Sequence, residues 1–163
     1  MSLHQDLLDQ AADLVAKEVN RPRQASLRRA ISTAYYAIFH LLIFESTKTI
    51  VPDKATGYLA ARAFNHGEMK EVSRAFGKGV PPKLGTILGV VSLDLRRIAD
   101  AFVNLQEGRH QADYDTAKRF TRAEATTFVQ QAQFIFTTFK TIRKTREARV
   151  YLLALLLGKR WER

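Results

Sequence analysis

The apolar residues of this chain recur at helical spacing and almost nowhere alternate. The clearest run, Leu84, Ile87, Leu88, Val91, Leu95, Ile98, Phe102 and Leu105, advances by steps of one, three or four, which draws one apolar stripe along a helix. Leu7, Ala11, Leu14 and Val15 predict a first helix starting near Ser2. Leu27, Ile31, Ala34, Ile38, Leu41 and Leu42 predict a second from about Gln24 to Phe44. A third region, from about Ala55 to Phe76, carries Leu59, Phe64, Met69, Val72 and Phe76, with a kink or break at Asn65-His66-Gly67. Thr121, with Glu124 three residues on, reads as a capping box. It opens a helix through Ala125, Phe128, Ala132, Ile135, Phe139 and Ile142. Breakers separate these stretches at Asn20-Arg21-Pro22, Val51-Pro52-Asp53, Gly77 to Pro82 and Glu107-Gly108. The expectation is an all-α domain over 1–163: an antiparallel up-and-down bundle of about five helices plus a short C-terminal apolar helix.

At 163 residues the chain is long enough to bury a core without staples. It has no cysteine, which excludes disulfides, a thiol nucleophile and thiolate metal sites. Met1 to Asp6 lacks the basic-then-apolar pattern of a secretory signal. The longest apolar run, Val150 to Leu157, has eight residues, against the roughly 20 of a membrane helix. A cytoplasmic protein with no membrane span is therefore expected. That last apolar segment either folds back on the bundle or packs on another subunit. With Trp161 after it and Arg146, Arg149, Lys159 and Arg160 around it, resting on an anionic membrane ranks last.

The formal charge is +10, and residues 118–163 hold 11 Lys and Arg against three acids. A basic end on a near-neutral body suits a polyanionic partner, or simply a solvated basic surface.

Two clusters carry functional groups that apolar periodicity does not explain. On the second helix Arg29, Thr33, Tyr36 and His40 fall within about 60° of arc, opposite Ile31 and Ile38. Packing against neighbouring helices is the plain alternative for this stripe. After the most periodic helix comes Arg109-His110-Gln111-Ala112-Asp113-Tyr114-Asp115, where Arg109 and Asp113, four apart, are spaced to pair.

These segments carry a family resemblance. Arg28-Arg29-Ala30-Ile31-Ser32-Thr33-Ala34-Tyr35-Tyr36-Ala37-Ile38-Phe39-His40 resembles the YYA helix of HEPN-domain proteins. Arg109 to Tyr114 is similar to the R-x-x-ADY stretch of the same branch, and His66 through Phe76 to its H-x-x-V…F segment. The resemblance spans about residues 1–142, leaving 143–163 as a basic and apolar extension. It implies a homodimeric helical bundle of the prokaryotic toxin–antitoxin or defence kind, with a nucleotidyltransferase-type antitoxin as partner. It also implies, for many members, metal-independent ribonuclease activity from an Arg followed after four to six residues by His. Arg109 matches the Arg, but Tyr114, Asp115 and Thr116 stand where the His belongs. An imidazole titrates near neutral pH, whereas a phenol does not.

The expected function is binding of RNA or a nucleotide. Arg109 holds the anion with help from Arg29, Tyr36, His40 and Tyr114 shape the pocket, and Asp113 orients Arg109. The alternatives are a ribonuclease using His110 or His40, and a bundle that only binds a partner protein. His66 is read as a helix-break or packing residue. No cofactor is implied. The four histidines show no metal-ligand spacing among themselves, Gly77-Lys78-Gly79 is not a phosphate-binding loop, and no nucleophile elbow exists.

Overall fold

The computed structural model describes residues 2–51, 53–158 and 160. Trp161 lies outside them. Eight helices follow one another, with no strand among the described residues: α1 (Leu3–Ala16), α2 (Gln24–Ile50), α3 (Lys54–Ala61), α4 (His66–Gly77), α5 (Gly85–Leu88), α6 (Leu93–Tyr114), α7 (Arg122–Ile142) and α8 (Arg146–Leu157). The fold is all-α, as the periodicity predicts, and no helix is long and apolar enough to cross a membrane among the described residues.

α2 is the axis of the bundle. Fifteen of its 27 residues are buried, and it packs on α1, α3, α6, α7 and α8. Packing on several sides explains why buried residues recur around most of its circumference, with Arg29, Phe44 and Lys48 among those left exposed. It runs on to Ile50, beyond the expected end at Phe44, because Glu45 and Ser46 are buried rather than solvated. Glu45 is held by Arg143 Nη1 at 3.5 Å, and Ser46 Oγ donates to the Leu152 carbonyl at 3.3 Å.

Cross-helix bonds give the directions. Gly77 meets Arg96 while His66 meets Gln106, so α4 and α6 are antiparallel. Arg28 reaches residues 112–118 while Tyr36 reaches Arg109, so α2 and α6 are antiparallel too. The predicted capping box is present, with Thr121 Oγ1 accepting from Glu124 N and Glu124 accepting from Thr121 N. The Thr121 backbone N–H, the Lys118 ammonium and the Thr121 hydroxyl draw the Glu124 carboxyl down to about 2.

Three further expectations fail. The stripe from Leu84 to Leu105 is not one helix: Gly89 adopts φ 64, and Ser92 caps a new helix with its side chain on Leu95 N. Only glycine takes that left-handed backbone cheaply, so the helix stops although the apolar period continues. Glu107-Gly108 does not break the chain either. Gly108 lies inside α6, where a Cβ would stand 2.3 Å from the Phe128 ring. It is there to let α6 and α7 approach. Leu59 and Ile87, expected inward, are exposed, because α3 and α5 are too short to be wrapped by neighbours.

The C-terminal segment packs within the chain. Ala148, Tyr151, Leu152, Ala154 and Leu155 belong to the main core, with Tyr151 against Phe76 at 5.0 Å between ring centroids.

Candidate functional site

α6 continues without interruption through Asp113, so Arg109 and Asp113 stand one turn apart on the helix. Arg109 Nε lies 2.8 Å from Asp113 Oδ2, with side-chain exposures of 18% and 26%. The Nε–H does not aim at that oxygen, so the contact is Coulombic rather than a directed hydrogen bond. Ser32 Oγ donates to the same carboxylate oxygen at 3.3 Å.

The other end of the guanidinium turns to α2. Arg109 Nη2 donates to the Tyr36 hydroxyl at 2.8 Å. Its Cζ lies 5.4 Å from the Tyr36 ring centroid and 5.5 Å from that of Tyr114. Arg109 is thus held between two phenol rings, and Nη1 makes no bond to the protein among the described residues. Burial works against its charge, yet the Tyr36 hydroxyl and the Asp113 carboxylate hold its pKa above the ordinary guanidinium value. A fixed, permanently charged fork beside two aromatic faces suits a planar anion or a phosphate next to a base.

The imidazole of His66, expected only to break or pack a helix, enters here. His66 opens α4, on an Asn65 side chain that accepts from Gly67 N and Glu68 N, which bears out its expected place at a helix break. It also stacks on Phe39 at 4.1 Å and meets Tyr36 edge-on at 6.1 Å. The Tyr35 hydroxyl lies 2.6 Å from His66 Nδ1. Burial keeps the Tyr35 phenol protonated and, with the Arg109 charge nearby, lowers the His66 pKa and favours its neutral imidazole. The phenol and the imidazole thus share one hydrogen bond between two uncharged rings. Gln106 Nε2 in turn donates to the His66 carbonyl at 2.8 Å.

The remaining predicted residues divide. His40 is half-buried, 6.5 Å from the Tyr36 ring. His110 is exposed and leans on Tyr114 at 5.0 Å. Tyr36, His40, Arg109, Asp113 and Tyr114 are thus brought together, with His110 at the edge. Arg29 is not: it is exposed and makes no hydrogen bond or ion pair among the described residues. Its neighbour Arg28, to which the sequence reading gave no role, donates from Nη1 to the Ala112 carbonyl at 2.8 Å. From Nη2 it donates to the carbonyls of Asp115, at 2.8 Å, and Lys118. Those acceptors lie more than eighty positions away, so no local signal marks them. Among the described residues no group of three or more His, Asp or Glu is arranged to hold a metal ion.

His4, His40 and His66 all have pKa values below the ordinary 6.5, burial being the chief cause in each. Their folded values lie below the unfolded one, so on acidification the unfolded chain takes up protons first. Stability is full above about pH 6.5 and is lost as pH falls through and below it. The thermal midpoint is therefore expected to drop between about pH 7.5 and 5.5, and to drop less in His66→Gln. A midpoint level across that window would contradict the burial of these rings.

Compared with protein-family models, curated proteins and solved structures, the chain matches none.

Proposed function

We propose that this chain is a HEPN-like helical bundle that binds RNA or a nucleotide through Arg109. The observation that carries the reading is the guanidinium held between Tyr36 and Tyr114, anchored by a phenol at one end and a carboxylate at the other. Such a fork is set to meet phosphate oxygens, while exposed Tyr114 offers a base a stacking face. Exposed Arg29 and Arg119 lend positive charge from the start of α2 and the segment after α6. The resemblance supplies the wider frame: a homodimer whose two Arg109 sites face each other, paired with a nucleotidyltransferase-type antitoxin in the cytoplasm.

The test is fluorescence anisotropy of a labelled oligoribonucleotide at low salt. Arg109→Ala is expected to weaken binding by about 10- to 100-fold, the effect of losing charge-assisted hydrogen bonds. Arg109→Lys should fall between, since it keeps the charge and loses the planar fork. Unchanged binding in Arg109→Ala, with a lowered thermal midpoint, would make the residue a brace between helices and favour a protein-interaction bundle.

A second reading, metal-independent cleavage of RNA, is favoured by one observation. Three imidazoles, His40, His66 and His110, stand around the Arg109–tyrosine group. One of them would take the 2′-hydroxyl proton that Tyr114 cannot. Cleavage in EDTA that disappears in one histidine variant would establish it.

A further inference from the structure

A cavity of about 660 Å³ opens between the start of α1, the second half of α2 and α3. It is within the range of about 300–1,000 Å³ that holds small ligands. Its walls are apolar: Leu3, Ile43, Phe44, Val51, Tyr58 and Ala61. α3 forms one side, and none of its described residues is buried. Nothing in the Arg109 site lines this space except His40, which stands at its inner edge.

The polar groups in the lining are unequal. Lys48 has no carboxylate partner among the described residues, and its Nζ lies 5.7 Å from the Phe44 ring centroid. His4 lies against the other side of this region, 5.0 Å from the same ring. Burial holds His4 and His40 below their ordinary pKa, so near neutral pH they offer N–H groups without adding charge. Thr47 spends its hydroxyl proton on its own helix. The carboxylate in the lining, Asp53, accepts from Thr56 N and Thr56 Oγ1 as the N-cap of α3. Among the described residues the space therefore offers one cation and long apolar walls, which disfavours a multiply charged ligand.

We propose that this cavity takes a medium-chain aliphatic carboxylate, its tail along Ile43, Phe44 and Tyr58 and its head at Lys48. One negative charge matches the one lysine among the described lining residues. A nucleotide would bring several charges to a single lysine among apolar walls, and a neutral lipid would leave the lysine idle. The proposal stands apart from the Arg109 reading, since the two sites share no anchoring cation.

Titration calorimetry of the full chain with decanoate, 1-decanol and decyltrimethylammonium at about pH 7.5 tests it. Decanoate, kept below its micellar concentration, is expected to bind saturably, one per chain. The alcohol and the ammonium should bind at least about tenfold more weakly. Lys48→Met should bring decanoate down to the level of decanol and leave decanol unchanged. Gly57 and Ala61 line the cavity one turn apart on α3, and a Cβ at 57 meets nothing within 4 Å. In Gly57→Leu the Cβ therefore meets open space, and the longer side chain would fill part of the cavity. It should abolish binding of both decanoate and decanol while the thermal midpoint holds or rises. Arg109→Ala should leave decanoate affinity unchanged, which separates this site from the RNA reading. Non-saturable uptake, equal affinity for acid and alcohol, or indifference to Lys48→Met would overturn the assignment. So would a Gly57→Leu variant that turns a dimer into a monomer without any decanoate binding, since the space would then belong to an interface between copies.

Discussion

Tyr151→Ala is expected to destabilise the fold by about 3–5 kcal/mol, a large part of what a domain of this size has. The ring is completely buried, lies 5.0 Å from that of Phe76 and ties α8 to α4. Its hydroxyl lies 2.8 Å from Ser73 Oγ, which spends its own proton on the Met69 carbonyl. Tyr151 must then be the donor, and burial keeps its phenol protonated. Removing the whole side chain leaves a void that the rigid ends of α4 and α8 cannot close. Removing only the hydroxyl, in Tyr151→Phe, should cost about 0.5–1.5 kcal/mol. Calorimetric unfolding checks both, with a midpoint fall of about 6–20 °C for the alanine variant. A fall of only a degree or two would mean that α8 is an appendage. The same packing predicts that a chain ending at residue 142, where the resemblance ends, does not fold stably.

Arg28→Ala has the second-largest expected effect and a different character. Three carbonyls at and beyond the C-terminal end of α6 accept from one guanidinium. A cation there also complements the helix dipole. Its loss should cost about 1.5–3 kcal/mol, since the bonds are charge-assisted and the site is partly solvated. Lysine should restore little, because an ammonium lacks the fork that spans separate acceptors. The informative readout is local: amide hydrogen exchange should speed up over residues 112–118 and much less in α4 or α8. Uniform acceleration would mean that Arg28 supports the core generally. Because that stretch carries Asp113 and Tyr114, the same variant should loosen the grip on Arg109.

What was legible in the sequence follows from how local each cause is. Helix identity came from apolar spacing, and the start of α7 from Thr121 and Glu124, whose partners lie within one turn. The pairing of Arg109 with Asp113 was readable for the same reason. The break at Gly89 was hidden because apolar spacing runs across it, while one φ angle ends the helix. Gly108 carried the opposite lesson: it looks like a breaker and is a contact point for Phe128. Arg28 and Arg29 are adjacent and chemically identical, yet only the first is engaged. Their difference is a rotation of 100° about α2, and its meaning depends on where α6 lies. The part His66 plays beside Tyr35, Phe39 and Tyr36 likewise required three-dimensional knowledge, since those residues sit some thirty positions upstream.

That dependence on distant partners has a temporal side. Tyr36 meets Arg109 across 73 positions, and Arg28 clasps a carbonyl 90 positions on. A chain growing from the ribosome can make α1 and α2 early, but no arrangement of Arg109 with its tyrosines exists until residue 118 has emerged and docked. A nascent or prematurely terminated product is therefore inert at this centre, whatever the finished protein does with it.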